Sequence, residues 1–327
     1  MSKPTLCFPA LAIVAGLAGC AGQTAAGPFV PGAAARSHSQ AVPLHDGFRM
    51  FAANRDGGSV VSFESTANGD VSPIASIAGS KTTLIDPDAL TVDASGNIYA
   101  ANDGGTQVAV FGPHANGNVK PARIIGGSNS NLGPTEGLLV DRSGDLWASS
   151  YGLDDVTEYA PGASGNVSPI DTIAGTNTML SEPVGMAINA KGQLFVANVS
   201  SGTIVVFAKG ASGNATPLGV IGGSSSGLSK PFALAFDARG RLLVADESAG
   251  LLVFAKGAMG NVAPLQWITS VSYPAGVMGD SSGHIYAAEF SNDTIKEFAR
   301  SANGNATPLR TIEGPYTTLD GPNFLAH

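Results

Sequence analysis

Three oxygen-bearing side chains stand at one recurring place in this sequence. Asp88 and Asn323 each follow the proline of a Pro-x-apolar run. A third run carries one extra residue, and counting back from Asp141 puts Glu136 rather than Thr135 at the same place. If such runs line one channel, three oxygens converging on one side can hold a hard cation such as Ca²⁺, which takes carboxylate and amide oxygens. The other members of the series are Val184, Phe232 and Ala275. These offer no ligand atom, and a wall half apolar and half acidic suits a small organic ligand instead. The plainer expectation is that Asp88 and Glu136 are solvated loop carboxylates and Asn323 caps a strand end.

Other chemistry finds little support. A second series, Asn54, Asn102, Ser150, Asn198, Asp246 and Glu289, ends strand-like runs. It reads as turn chemistry, because short polar side chains bond the backbone locally. His114, His284 and His327 fall in different repeats without metal-ligand spacing, and His38 and His45 lie in a Pro- and Ala-rich lead-in. There is no Gly-x-Ser-x-Gly elbow, phosphate loop or cysteine nucleophile. The reading is therefore of a protein that is not an enzyme.

The elements that must position these residues come from an internal repeat. Gly-Asn/Asp-Val/Ala-x-Pro begins at Gly69, Gly117, Gly165, Gly213, Gly260 and Gly304. In phase with it, an aromatic closes a short β-branched run at Phe63, Phe111, Tyr159, Phe207, Phe254 and Phe298, and a turn glycine recurs at Gly96, Gly144, Gly192, Gly240 and Gly283. Runs of four to seven residues between Gly, Asn and Pro turns are strands, because helices need longer stretches of another period. In the second repeat they are Asn97–Asn102, Val108–Phe111, Ala122–Ile125 and, at the head of the pattern, Thr135–Asp141. Four strands every 40 to 50 residues describe the blade of a β-propeller, and six repeats describe six blades. The first strand-like run, Phe48–Asn54, is a second strand, and Pro322–His327 is an innermost strand without partners of its own. Pairing the two would leave no free radial edge. The expectation is an all-β, six-bladed propeller over residues 47–327, closed by its last strand. Closure also sets Asn323, Asp88 and Glu136 on three adjacent blades.

Composition agrees. Charged residues make up 13% of the chain and hydrophobic residues 43%, with 43 Gly and 20 Pro. Net charge is −8, from 17 basic and 25 acidic residues, and no basic cluster occurs. This excludes a nucleic-acid binder, whose affinity comes from neutralising phosphates. The two cysteines, Cys7 and Cys20, both precede the repeats, so the folded part has no disulfide framework.

The N-terminus reads as an address. Lys3, an apolar run from Phe8 to Leu17, and Leu17-Ala18-Gly19-Cys20 form a segment too short to span a bilayer. Its last four residues resemble the bacterial lipobox, which implies cleavage after residue 19 and acylation of Cys20. The resemblance implies a lipid anchor in the bacterial cell envelope. Ala21, in place of Asp, is similar to the outer-membrane sorting pattern. Residues 20–46, rich in Ala, Gly, Pro and Ser, suit a flexible tether.

The unit Pro183-Val184-Gly185-Met186-Ala187-Ile188-Asn189, then Gln193-Leu194-Phe195-Val196-Ala197-Asn198, then Ile204-Val205-Val206-Phe207 resembles the NHL-repeat family, and the likeness extends over nearly all of residues 47–327. In that family the Pro-x-Gly run is the innermost strand. The gluconolactonase/senescence-marker propellers, a more distant likeness, place Asn and Asp metal ligands at this strand position, where the ion polarises a lactone carbonyl. That resemblance carries over to Asn323, Asp88 and Glu136 only, and the family's Glu-Gly-Pro entry motif is absent. Streptogramin lyases, another propeller family, use a histidine and divalent ions, and no histidine here matches. The sequence thus points to a monomeric envelope lipoprotein whose propeller is a scaffold for an envelope protein or small ligand. A metal-dependent lactonase-type hydrolase is the rival reading. Replacing Cys20 with Ser is expected to abolish incorporation of labelled palmitate and to move the protein from the membrane to the soluble fraction; unchanged labelling would contradict the anchor.

Overall fold

Short β-branched runs flanked by Gly and Asn turns become strands, and they associate blade by blade. The computed structural model describes residues 47–327, so the signal segment, Cys20 and the tether lie outside the described residues. The described part is six four-stranded antiparallel sheets with two single-turn 3₁₀ segments, Phe290–Asn292 and Pro315–Thr317. It is the expected six-bladed β-propeller. No helix among the described residues is long and apolar enough to cross a membrane.

Each innermost strand is followed in sequence by the other three strands of its own blade. The innermost strands are Pro87–Val92, Thr135–Val140, Pro183–Ile188, Pro231–Phe236 and Pro274–Gly279 for blades 2 to 6. The run Thr135–Val140 accordingly heads blade 3, not the blade of Ile98–Asn102. Blade 1 takes its innermost strand from the far end of the chain: Pro322–Ala326 pairs antiparallel with Arg49–Asn54, with Asn54 opposite Pro322 and Phe51 opposite Ala326. The expected closure is present.

The six repeating aromatics are blade cores, none more than 1% exposed. Alternation along the third strand of each blade turns them inward, against the aliphatic side chains of the neighbouring sheet.

The Gly-Asn motif does more than turn the chain. Its glycine N–H donates to the outermost strand of the preceding blade, as from Gly117 to the Ser76 carbonyl at 2.7 Å and from Gly165 to that of Ile124 at 2.6 Å. The next side chain accepts a backbone N–H from the same neighbour: Asn118 from Lys81, Asn166 from Asn129, Asn214 from Asn177 and Asn261 from Ser225, each at 2.7 Å. The clasp also bridges blades 6 and 1, where Gly69 bonds Thr311 and Asp70 accepts from Tyr316. Gly127 shows why the facing residue is glycine. Its φ is +127°, and a Cβ there would lie 2.5 Å from the Asn166 amide oxygen. In blade 5 the shorter connection lacks this turn, and the Ser270 hydroxyl donates to the Ala306 carbonyl instead.

Deleting Pro322–His327 removes the sheet partner of Arg49–Asn54 and exposes its ladder. Thermal unfolding followed by circular dichroism is expected to show a loss beyond the about 3 kcal/mol of an ordinary point mutation, and an unchanged melt would contradict ring closure.

Candidate functional site

All six innermost strands run the same way along the central channel, so the residues after their prolines gather at one mouth. There the pairing register slips. Pro87 faces Asn102 and Ala89 faces Ala101, leaving Asp88 unpaired. Glu136, Phe232 and Ala275 are skipped in the same manner, and in Pro183–Ile188 both Val184 and Gly185 are. A bulge leaves its residue out of the ladder and re-aims its side chain. In Pro322–Ala326 the slip falls one residue later, at Phe324. The sister strands carry Ala89, Gly137, Gly185, Ala233 or Gly276 at that place. Neighbouring backbones approach so closely that a Cβ on Gly137 would lie 2.0 Å from the Val184 carbonyl oxygen. A phenylalanine does not fit such a seam. Phe324 instead meets Phe232, from a non-adjacent blade, with ring centroids 5.4 Å apart.

Asp88, Glu136 and Asn323 do come together. The Asn323 amide donates to Asp88 Oδ1, and the Asp88 and Glu136 carboxyl groups hydrogen-bond to each other. The expectation of solvated carboxylates therefore fails for Asp88, which is 1% exposed, and Asn323 is 2% exposed. Asn323 Oδ1 is buried without a hydrogen-bond partner. An unmet buried acceptor costs about 1–3 kcal/mol.

Two further groups complete the cluster. Arg55 Nε lies 3.7 Å from Asp88 Oδ1, and its guanidinium also donates to Asp103. Asp103 bonds Glu136 in turn. Arg55 and Asp103 both lie one residue beyond a member of the polar series that ends the second strands. Arg55, Asp103, Tyr151, Val199, Glu247 and Phe290 are each the residue after the Asn54, Asn102, Ser150, Asn198, Asp246 and Glu289 series. Their backbone N–H groups all donate to the loop that enters an innermost strand, as Arg55 does to Gly321 and Phe290 to Tyr273. They form a second ring around the mouth. Arg55 lies over the Phe290 ring at 5.8 Å, and the Tyr273 hydroxyl bonds Glu247.

The preceding series is not simple turn chemistry. Asn102 accepts from Ile85 N–H and donates to the Thr83 carbonyl, and Asn198 makes the same pair with Ser181 and Met179. Glu289 accepts from Ser272 N–H and pairs Lys296 at 2.8 Å. These side chains fasten the loop before the innermost strand, 16 to 19 residues away in Asp246 and Asn102. Asp246 also holds the turn that follows it, through Ser248 and Ala249, and Glu289 does so through the Asn292 amide.

Burial raises the pKa of Glu136, and the bond to Asp88 and the charges of Asp88 and Asp103 add to it. Asp88 is also raised by burial, against the pull of its Glu136 bond and the Arg55 charge. Two like charges in contact share a proton rather than both ionise. The mouth is thus an acceptor-rich pocket holding one proton and one guanidinium.

For a hard cation the donor set is half complete. Asp88, Glu136 and Asn323 Oδ1 lie on one side, Val184, Phe232 and Ala275 supply nothing opposite, and Arg55 already brings positive charge to Asp88. Among the described residues, three carboxylate oxygens come within 4.8 Å of one another only at Asp141, Asp145 and Glu158. That group sits at a hairpin, where Asp141 accepts from the Ser143 and Asp145 N–H groups. Burial and neighbouring carboxylates push Glu158 up to about 7. His284 is committed to Asp280 at 2.9 Å, and His327 reaches the Gly279 carbonyl.

No family model matches the sequence, and no curated protein does. Solved structures share its fold. A protein of unknown function from Bacteroides caccae aligns with 85% of this chain and 97% of its own, at 9% identity and TM-score 0.59. A streptogramin B lyase covers 70% of each chain at 13% identity and TM-score 0.52, and virginiamycin B lyase from Staphylococcus aureus covers 73% of each at 14% and 0.53. These likenesses are of fold alone.

Glu136 keeps its proton well above the 4.5 typical of a free side chain. Above that pH the folded state binds more protons than the unfolded chain, so stability falls as pH rises, by at most about 1.4 kcal/mol per pH unit. Glu136→Gln removes this dependence. Its melting temperature is expected to match the parent's near about pH 4 and to exceed it increasingly toward about pH 9; a constant gap would contradict the shared proton.

Proposed function

We propose that the protein is a membrane-anchored envelope lipoprotein whose NHL-like propeller is a non-catalytic scaffold, binding its ligand or partner at the Asp88 mouth. The observation that carries this reading is Asn323 Oδ1, a buried acceptor with no partner, beside two carboxyl groups that share a proton. A bound group that donates hydrogen bonds satisfies all three. An ammonium group fits best, because it replaces the shared proton and leaves the charge beside Arg55 unchanged. The lipobox-like Leu17–Cys20 segment supports the anchor, and the Pro-x-Gly innermost strand supports the NHL-type repeat.

The second reading rests on the same orphan oxygen. A Ca²⁺ ion held by Asp88, Glu136 and Asn323 would supply Lewis-acid polarisation of a carbonyl, as in lactonase-type hydrolysis. Arg55 weighs against it, since a divalent ion in place of one proton adds a positive charge beside that guanidinium.

Thermal melts of full-length Cys20→Ser protein separate the two. The first reading expects a rise with millimolar putrescine that disappears in Asp88→Asn/Glu136→Gln, and none with Ca²⁺. A rise with Ca²⁺, with Tb³⁺ luminescence lost in the same double variant, would replace it with the second. No response to either probe would remove the Asp88 mouth as the binding site.

A further inference from the structure

The opposite mouth of the channel differs in kind. Asp88 and Val92 lie four residues apart on one strand, about 13 Å at 3.3 Å per residue. Beyond the Phe232–Phe324 contact the channel widens into a cavity of about 1040 Å³, lined by the second halves of the innermost strands. Pockets that enclose small organic ligands span about 300–1,000 Å³. The wall is apolar. Val92, Leu139, Val140, Ile188, Ala235 and Phe236 all line it and all keep part of their surface exposed.

The rim is cationic, in a protein of net charge −8. Arg142, Lys191 and Arg239 occupy the hairpin tips of blades 3, 4 and 5, and Lys256 stands behind the last. All four are exposed, and none enters an ion pair among the described residues. Two acids also border the cavity, but both are turned inward. Asp237, 6% exposed, is held by Arg241 Nε at 2.6 Å and by two backbone N–H groups. Asp280, 5% exposed, accepts from His284 N–H at 2.8 Å. The corresponding tips of blades 2 and 6 carry the uncharged Ala94–Ser95 and Ser281–Ser282. Exposed positive charge therefore stands on three consecutive blades beside the cavity, with the half-exposed Asp141 and Asp145 flanking Arg142 in its own hairpin.

We infer that this funnel binds a single-chain amphiphilic carboxylate, its apolar chain against the Leu139, Ile188 and Phe236 wall and its head group among Arg142, Lys191 and Arg239. The chemistry is complementary at both ends: burying a chain removes apolar surface from water, and an arc of exposed cations selects an anionic head. A flat basic patch would favour a membrane surface. A cavity that encloses volume favours a free monomeric ligand.

The test is calorimetric titration of full-length Cys20→Ser protein with octanoate, decanoate and dodecanoate, each below its micelle concentration. One saturable site is expected, tightening by up to about fourfold per added methylene until the cavity is filled. The triple charge reversal Arg142→Glu, Lys191→Glu, Arg239→Glu changes only exposed tips. It is expected to weaken decanoate at least tenfold while leaving the melting temperature and the binding of decyltrimethylammonium no weaker than in the parent. Absence of saturable binding, equal affinity in the triple variant, or tighter binding of the cationic amphiphile by the parent would overturn the inference. Co-sedimentation with phosphatidylglycerol vesicles, without binding of monomeric decanoate, would overturn it too, by making the arc a membrane-facing surface.

Discussion

The antiparallel pairing of Pro322–Ala326 with Arg49–Asn54 is the contact on which the rest of the molecule depends. Five blades are contiguous in sequence, each with four strands in order. Without the last strand, blade 1 would have three strands and an open ladder facing the channel, and edges of that kind invite pairing with other chains. With it, each inner strand packs between two others and the ring has no end. The outer rim is sealed by a different device, in which Gly69 and Asp70 hold blade 6 as the Gly-Asn pairs from Gly117 to Gly260 hold the blade before each. The same junction is thus fixed at both radii, by a sheet ladder inside and a clasp outside.

Closure also creates the acidic mouth. Asn323 reaches Asp88 only because the chain's last strand sits beside Pro87–Val92, and Arg55 enters the same cluster from the hairpin that follows Arg49–Asn54. Residues separated by more than 230 positions therefore share one set of hydrogen bonds. The bulges are what turn Asp88 and Glu136 inward. An inner strand in perfect register would place its second residue in the ladder, whereas the slip frees it to point at the axis. Asn323 departs from its sisters because the phenylalanine that follows it cannot occupy a seam built for glycine or alanine. That displacement leaves an aromatic contact across the channel between the two mouths.

The two mouths are chemically opposed because they are opposite ends of the same six strands. At the starts, buried acceptors crowd together and hold a proton. At the ends, the strands open into a cavity whose hairpin tips carry exposed cations on three blades. A disc held rigid by six near-identical sheets can diversify only where the repeat does not constrain side chains, at these ends and at the loops. Val184, Phe232 and Ala275 show the reverse pressure, filling the channel opposite the acids with apolar volume.

The blade count, the four-strand pattern, the closing strand and the buried aromatics from Phe63 to Phe298 were all legible in the sequence, because periodic burial writes itself into periodic residue types. So was the position of Asp88, Glu136 and Asn323 at one level of the channel, since strand register is a matter of counting. What counting does not contain is which neighbours approach across blades. The Gly-Asn pairs read as turns because a turn and a clasp ask for the same residues. Asn102 and Asn198 read as local caps because their loop partners lie 17 to 19 residues away. Arg55 and Asp103, exposed hairpin residues by type, join the buried acids only once the ring brings blades 1 and 2 together. The protonation of Glu136 and the unfilled Asn323 oxygen were decided there as well, because burial and the distance between charges are properties of the assembled ring and not of any one repeat.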